Sequence, residues 1–408
     1  MTEFRIPKVI PDIVNRVTGR WAPPGTGDSK GKQRLHLDYV DRATRERQAE
    51  RKSEDLEARR RFRRGGKSEG LEQRMVPEME FSSYYGRPIV KAPPWGWPIG
   101  VYLWLGGIAG GSGVLAFGGQ LMRNRELTRN MRISAFGSAA LGSLALVGDL
   151  GRPERALNMF RVFKVTSPMS MGSYLLLTFA TSATFPAASE VDTLLIEDGK
   201  VIALPKPLRT FLRSASEAST PIAGTLGPLL ATYTGVLFAN TSIPAWSEGR
   251  EYLPYIFGSS GALAAGGTAM IVTSPENAGP ARVLAVAGTA TEMYSMHRMK
   301  DTMDPTVREV YEKDSPGILL KASEAAVVAG SVGAVAAHVL NALGRKSRGL
   351  SIASGIALVA GSAFTRFGVL HAGHNSVKDP KYVVEPQKRR MEKDRAEGHV
   401  TENITTLS

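Results

Sequence analysis

Ionisable side chains set among long apolar runs are the residues of this sequence best placed to do chemistry. Asp149, Arg152, Glu154 and Arg155 crowd one turn in LVGDLGRPERALNMF (146–160), directly after an apolar segment. Glu292, Glu324, Arg366, His338 and His371 fall within or at the edge of further apolar segments. In hydrocarbon a charged side chain costs at least about 2.5 kcal/mol even on insertion scales, so each such residue is a candidate for function or for a compensated pair. The turn at 149–155 reads in two ways: a charged knot at a membrane surface, or an ordinary polar loop closed by internal salt bridges. Depth suggests a partner for Glu324, which counts to about 9 Å inside its segment; Arg366 is the expected partner, with a pocket beside the pair. No matching acid appears in the opposite half of the segments, so Glu292, Glu324 and Arg366 read as an ion pair before they read as a full proton path.

The elements that would hold these residues are apolar helices. A crossing needs about 20 mainly apolar residues, and eight segments meet that need: 97–121, 131–148, 169–186, 221–239, 252–273, 280–296, 318–343 and 350–371. Stretches such as ASGIALVAGSAF and GALAAGGTAMIV show no polar stripe at helical spacing, which excludes a soluble bundle. Four hydroxyl-proline pairs, Ser167-Pro168, Thr220-Pro221, Ser274-Pro275 and Ser315-Pro316, read as helix starts, since the hydroxyl caps free N–H groups and proline suits the first turn. Glycines at 106, 107, 110, 111 and 113 favour close helix contact, and Trp95 and Trp97 suit an aromatic belt. Gly151 and Pro153 end the second segment, and residues 154–165 read as a short interfacial helix.

The 408 residues carry a formal net charge of +13, and residues 1–94 hold 21 Lys and Arg against 14 Asp and Glu. Within 38–64, acids and arginines four apart support a solvated helix rather than a nucleic-acid surface. The start lacks the apolar stretch of a signal peptide. Eight crossings put both termini on one side, and the Lys/Arg count favours the cytoplasm.

The chain has no cysteine, which excludes an iron–sulfur cluster or a disulfide of its own. His338 and His371 count to about 20 Å apart in depth, which disfavours a bis-His haem. No metal site is expected. The sequence offers no electron carrier of its own.

Against this background DLGRPER (149–155) followed by SPMSMGSYLL (167–176) resembles the signature of the NrfD-like family, the polysulfide reductase membrane subunits. PWGWPIGVYLWLGGIAGGSG (94–113), YTGVLFANTSIPAW (233–246) and TRFGVLHAGHNSVKDP (365–380) resemble the same family, so the likeness covers roughly 84–385. The resemblance implies an all-α membrane protein of eight transmembrane helices in two four-helix bundles, 95–245 and 246–375, between a charged extension at 1–94 and a charged tail at 376–408. It implies a site for an exchangeable quinone, menaquinone or ubiquinone, among Trp97, Tyr102, Asp149, Arg152 and Tyr233. Asp149 would exchange protons, and Tyr233 or Arg152 would hydrogen-bond a quinone oxygen. It further implies an iron–sulfur partner subunit, a molybdenum or tungsten catalytic subunit of the formate-dehydrogenase or polysulfide-reductase kind, and residence in a bacterial plasma membrane. Two other classes stand beside it: a secondary transporter or proton-conducting protein, for which Gly227-Pro228 is the one good helix break, and a pure membrane anchor.

Overall fold

In the computed structural model of the chain, residues 88–150, 153–197, 204–345 and 347–397 are described. The extension through residue 87, with its expected helix at 38–64, lies outside the described residues, as do Gly151, Arg152 and the end of the tail. The described residues form helices and no strand. In order they are α1 (Trp97–Leu121), α2 (Arg125–Gly148), α3 (Pro168–Glu197), α4 (Lys206–Ala239), α5 (Pro244–Glu248), α6 (Leu253–Val272), α7 (Gly279–Thr302), α8 (Pro305–Glu312), α9 (Asp314–Ala342), α10 (Arg348–Ser376) and α11 (Lys381–Ala396).

Each expected apolar segment coincides with a long helix, but the helices are not equally apolar. Six, α1, α2, α4, α6, α9 and α10, are long and apolar enough to cross a membrane. Six such helices describe a multi-pass membrane protein. α3 breaks its apolar run with Thr178, Thr181, Ser182 and Thr184, and α7 carries Arg282 and Glu292 inward, both buried.

One of the four hydroxyl-proline starts is confirmed, α3 at Pro168; α9 begins at Asp314, so Pro316 falls in its first turn but Ser315 is not its cap. Thr220-Pro221 is not a start. α4 runs unbroken from Lys206 through both Pro221 and Pro228, so Gly227-Pro228 is no break either. Proline deprives the carbonyl four residues earlier of its helical donor. At Pro221 that carbonyl is Glu217's, and Gln120 Nε2 of α1 donates to it at 3.4 Å. α4 is 34 residues long, about 51 Å, which exceeds the roughly 30 Å hydrocarbon core, so one end stands outside it. Ser274-Pro275 also lies before its helix: α7 starts at Gly279, and Glu126 of α2 holds the intervening turn by accepting from the Ser274 N–H at 2.7 Å and from Asn277 at 2.5 Å. Residues 153–160 form a 3-10 turn in place of the α-helix expected at 154–165. Its apolar neighbours Leu157, Val162 and Phe163 point outward.

Packing explains the glycines. α1 lies against α2, α4 and α6; α3 against α2 and α4; α6 against α7 and α10; and α9 against α7 and α10. A Cβ at Gly110 would come within 2.3 Å of the Gly227 carbonyl oxygen, and one at Gly227 within 2.3 Å of the Gly110 carbonyl oxygen. Only two bare backbones fit there. Elsewhere, arginine closes a helix end: Arg348 donates to the Met270 and Ile271 carbonyls and to that of Thr273, satisfying the free C-terminal carbonyls of α6.

Outside the spans, α11 docks on α8 through Arg389, 2.5 Å from Asp304 Oδ1, and Lys381, 3.3 Å from Glu309. Burial works to raise the Asp304 carboxyl, but the Thr306 N–H and the Arg389 guanidinium outweigh it and hold Asp304 below its ordinary value. A depressed carboxylate stabilises above its unfolded value, about 3.9, and that contribution is lost as pH falls through the folded value. Amide protection factors across Lys381–Ala396, which correct for the intrinsic slowing of exchange in acid, should therefore hold from neutral pH down and fall only in strong acid; an Arg389→Ala chain should show lower protection already at neutral pH.

A second expectation concerns the helix contact. Gly110→Ala should lower stability by about 1–3 kcal/mol through overpacking, although alanine favours an isolated helix. Gly118→Ala on the same helix, where nothing lies within 4 Å of the new methyl, should be neutral or stabilising. Thermal melting of the two variants in detergent checks the contrast.

Candidate functional site

At the end of the helices where α1 begins and α2 finishes, the backbone N–H of Gly96 donates to Asp149 Oδ1 at 3.3 Å. Asp149 is the C-cap of α2 and is half-buried. Burial raises its carboxyl above the usual carboxylate range, offset in part by the Gly96 N–H. Tyr102 lies about 8 Å into α1, and Tyr233 about 9 Å from the end of α4. The two therefore match in depth on packed helices, and Tyr233 rests against the apolar cluster that contains Tyr102. The Tyr233 ring lies over Gly172, where a Cβ would come within 2.1 Å of it. Neither tyrosine hydroxyl has a hydrogen-bond partner among the described residues. Trp97 is exposed at the entry of α1. Arg152 lies outside the described residues. Glu154 and Arg155 are exposed, so the expected charged knot is not assembled among the described residues.

An aromatic stack beside this site was not foreseen. Trp95 does not face outward as a belt residue; it stacks on Phe238 at 5.3 Å and on Trp246 at 5.5 Å, and Phe238 and Trp246 stack at 4.1 Å. Trp246 is fully buried and donates from Nε1 to the Val369 carbonyl at 2.8 Å. Its ring leaves no room for a Cβ at Gly373. The stack ties the loop ahead of α1 to α4, α5 and α10, and so fixes the height of Gly96 and of the N–H that Asp149 accepts.

A second polar group lies deeper, between α6, α7, α9 and α10. Thr365 donates to Glu292 Oε1 at 2.5 Å, and Ser323 bonds Thr365 at 2.7 Å. Arg366 is completely buried, donates to the Phe257 carbonyl, and lies 4.2 Å over the Phe257 ring. The expected pairing of Glu324 with Arg366 is corrected. Glu324 is exposed on the outer face of α9, and Glu292 is the acid whose charge Arg366 feels. Helical phase explains it: Ser323 and Val327 turn inward on α9, which rotates Glu324 away. Glu292 and Arg366 do not touch within 4 Å. Glu292 Oε2 and Arg366 Nε and Nη1 are buried without partners among the described residues.

A cavity of about 400 Å³ opens among the described residues, but not beside Asp149. It lies at the opposite end of α1 and α2 and is lined by arginines.

Residues 89–279 match the family model described as polysulphide reductase, NrfD. The NrfD resemblance holds over this stretch. No curated protein matches the chain. The NrfD stretch takes in α1 to α6 and contains Trp97, Tyr102, Asp149, Arg152 and Tyr233, whereas Glu292, Glu324 and Arg366 lie beyond it. The polar group around Glu292 thus rests on its own geometry.

That geometry separates the two glutamates by experiment. Thr365→Val, which leaves Glu292 Oε1 without its donor, should cost about 1–3 kcal/mol. Glu324→Gln should stay within about 0.5 kcal/mol of the parent. Urea or thermal unfolding of both variants in one detergent measures the difference.

Proposed function

We propose that this chain is the quinone-reactive membrane subunit of a multi-subunit respiratory oxidoreductase, exchanging electrons between a partner iron–sulfur subunit and the quinone pool. The observation that carries it is the NrfD match over the helices that bring Asp149, Tyr102 and Tyr233 to one end. The eight long helices are read as eight crossings in two four-helix bundles, α1–α4 and α6–α10 without the short α8. The neighbour relations around α1 and α6 support that arrangement.

The residues at this end fit a quinone. Two carbonyl oxygens need donors, and two tyrosine hydroxyls without partners among the described residues lie at matching depth. When bound, the quinone supplies the two-electron, two-proton couple. Tyr233 and Tyr102 are the candidate donors, with Arg152 as a further one by its place in the family signature. Asp149 carries a carboxyl shifted toward neutrality at the membrane surface, which suits it to pass protons between water and the site. Trp97 would cover the entrance. With no cysteine in the chain, electrons would come from a neighbour's cluster, and a molybdenum or tungsten subunit would complete the complex. Both termini are read as cytoplasmic, in a bacterial plasma membrane.

One observation favours a second reading, proton movement through the second bundle. Glu292 and Arg366 are buried, apart, and keep unpartnered atoms that water could bridge. Glu292→Gln membranes that reduce quinone normally but no longer move charge would favour it.

The primary test is quinone reduction in membranes with the complex intact. Asp149→Asn and Tyr233→Phe should each lower the rate by about 10²-fold or more, in the range of a lost proton-transfer group. In the parent the rate should fall as pH rises through the raised Asp149 value, because quinone reduction needs the protonated acid; in Asp149→Asn that limb should vanish. Full rates in both variants would leave the pure anchor as the better description.

A further inference from the structure

The arginine-lined cavity has no part in the reading above and lies about 36 Å from Asp149, the length of the 24-residue α2. It opens between the last turn of α1, the first turns of α2, and the facing parts of α3 and α4. Arg123, Arg125, Arg132 and Arg213 line it, against Glu190 and Glu217. Arg132 is neutralised by Glu190 at 2.7 Å and also donates to Gln120 at 3.1 Å. Arg123, Arg125 and Arg213 are exposed at the mouth and have no acidic partner among the described residues. Among the described lining residues, three arginines without an acidic partner therefore face one acid without a cationic partner, Glu217. The N-terminus of α2 adds positive partial charge.

An independent observation points to an oxygen-bearing ligand. Ser216 lines the cavity, is 1% exposed, and its Oγ has no hydrogen-bond partner. Arg132 Nε is buried and unpartnered as well. Buried hydroxyl and guanidinium donors are ordinarily satisfied, and a group rich in acceptor oxygens would satisfy both. Phosphate is such a group, and arginine is its preferred partner.

The surroundings say what carries the phosphate. Below the cavity the helices close on a void of about 10 Å³, lined by Gly113, Ala116, Ala135 and Ala183 among others, too small for a hydrocarbon chain. Apolar side chains next to the lining residues along the chain are turned outward: Leu121 is 69% exposed, and Met122, Phe211 and Val191 are exposed with it. An occupant with a charged head inside and apolar chains outside matches both features. We propose that this cavity binds the phosphodiester head of an anionic phospholipid, with Arg123, Arg125 and Arg213 around the phosphate, Ser216 and Arg132 donating from the floor, and the acyl chains along the outer faces of α1 and α4.

The full chain, purified in detergent and stripped of lipid, is probed with phosphatidylglycerol, phosphatidylcholine and inorganic phosphate, with native mass spectrometry counting retained lipid and melting reporting the fold. Phosphatidylglycerol should be retained well above phosphatidylcholine. An Arg123→Gln, Arg213→Gln double variant should lose at least about tenfold in retention, the scale of one charge-assisted hydrogen bond, while its lipid-free melting matches the parent. Ser216→Ala, which keeps every charge, should lose a few-fold and serves where the double variant assembles poorly. Equal retention by parent and variants, or equal retention of the two lipids, overturns the proposal. Protection by millimolar inorganic phosphate with no lipid retained overturns the lipid assignment.

Discussion

Backbone contact between α1 and its neighbours governs where everything else in this protein falls. Lipid gives two apolar helices little reason to associate, so association depends on how closely they approach. Gly110 and Gly227 bring α1 and α4 together with no side chain between, and Gly107 and Gly261 do the same for α1 and α6, with a Cβ at either only about 3 Å from the other backbone. α1 is consequently the most enclosed of the six apolar helices. Because α1 lies flush on α4, Tyr102 and Tyr233 share a depth. Because it lies flush on α6, the Arg366 guanidinium passes beside Gly107, where a methyl group would stand 2.9 Å from Nη2.

The two ends of this scaffold are chemically unlike. One carries Asp149 on a backbone N–H, two tyrosine hydroxyls unpartnered among the described residues, and a stacked set of aromatic rings. The other carries arginines around a cavity and an acid, Glu126, committed wholly to holding the turn before α7. A proton-exchanging group needs access to water and an adjustable carboxyl, which the first end offers. The second end gathers fixed positive charge from Arg123, Arg125, Arg132 and Arg213, which suits attraction of anions rather than proton transfer.

Helix positions were legible in the sequence because apolar length is a one-dimensional property; the ends of α1 and α6 fall within one residue of expectation. What the sequence hid was rotation and compensation. Glu292 and Glu324 look alike as acids in apolar runs, yet a difference of helical phase buries one and exposes the other. Thr220-Pro221 carries every local sign of a helix start, but a start signal is also compatible with a helix interior when another helix supplies the lost donor, as Gln120 does. Trp95 was indistinguishable from a belt tryptophan until Phe238 and Trp246, over 140 residues away, were brought beneath it. The arginine cavity escaped notice for a related reason: Arg123, Arg125 and Arg132 stand far along the chain from Arg213 and Ser216, and only the fold brings them around one space.

Glu292 and Arg366 show why a buried charge need not mean a strong bond. Removing two ions from water costs several kcal/mol each, and their mutual attraction offsets this only at close range with full hydrogen bonding. Here the ions stand apart, and both retain unpartnered atoms, so attraction between them is a weak account of their presence. Their individual partners are more telling. Arg366 reaches from α10 to a carbonyl and a ring on α6, and Glu292 reaches from α7 to a hydroxyl on α10 that is itself bonded to α9. Sliding any of these helices by one turn, about 5.4 Å, would strand a charge in hydrocarbon without a partner. Smooth apolar surfaces of alanine and glycine permit many such slides. The buried charges make all but one of them expensive, and register, more than binding energy, is what they contribute.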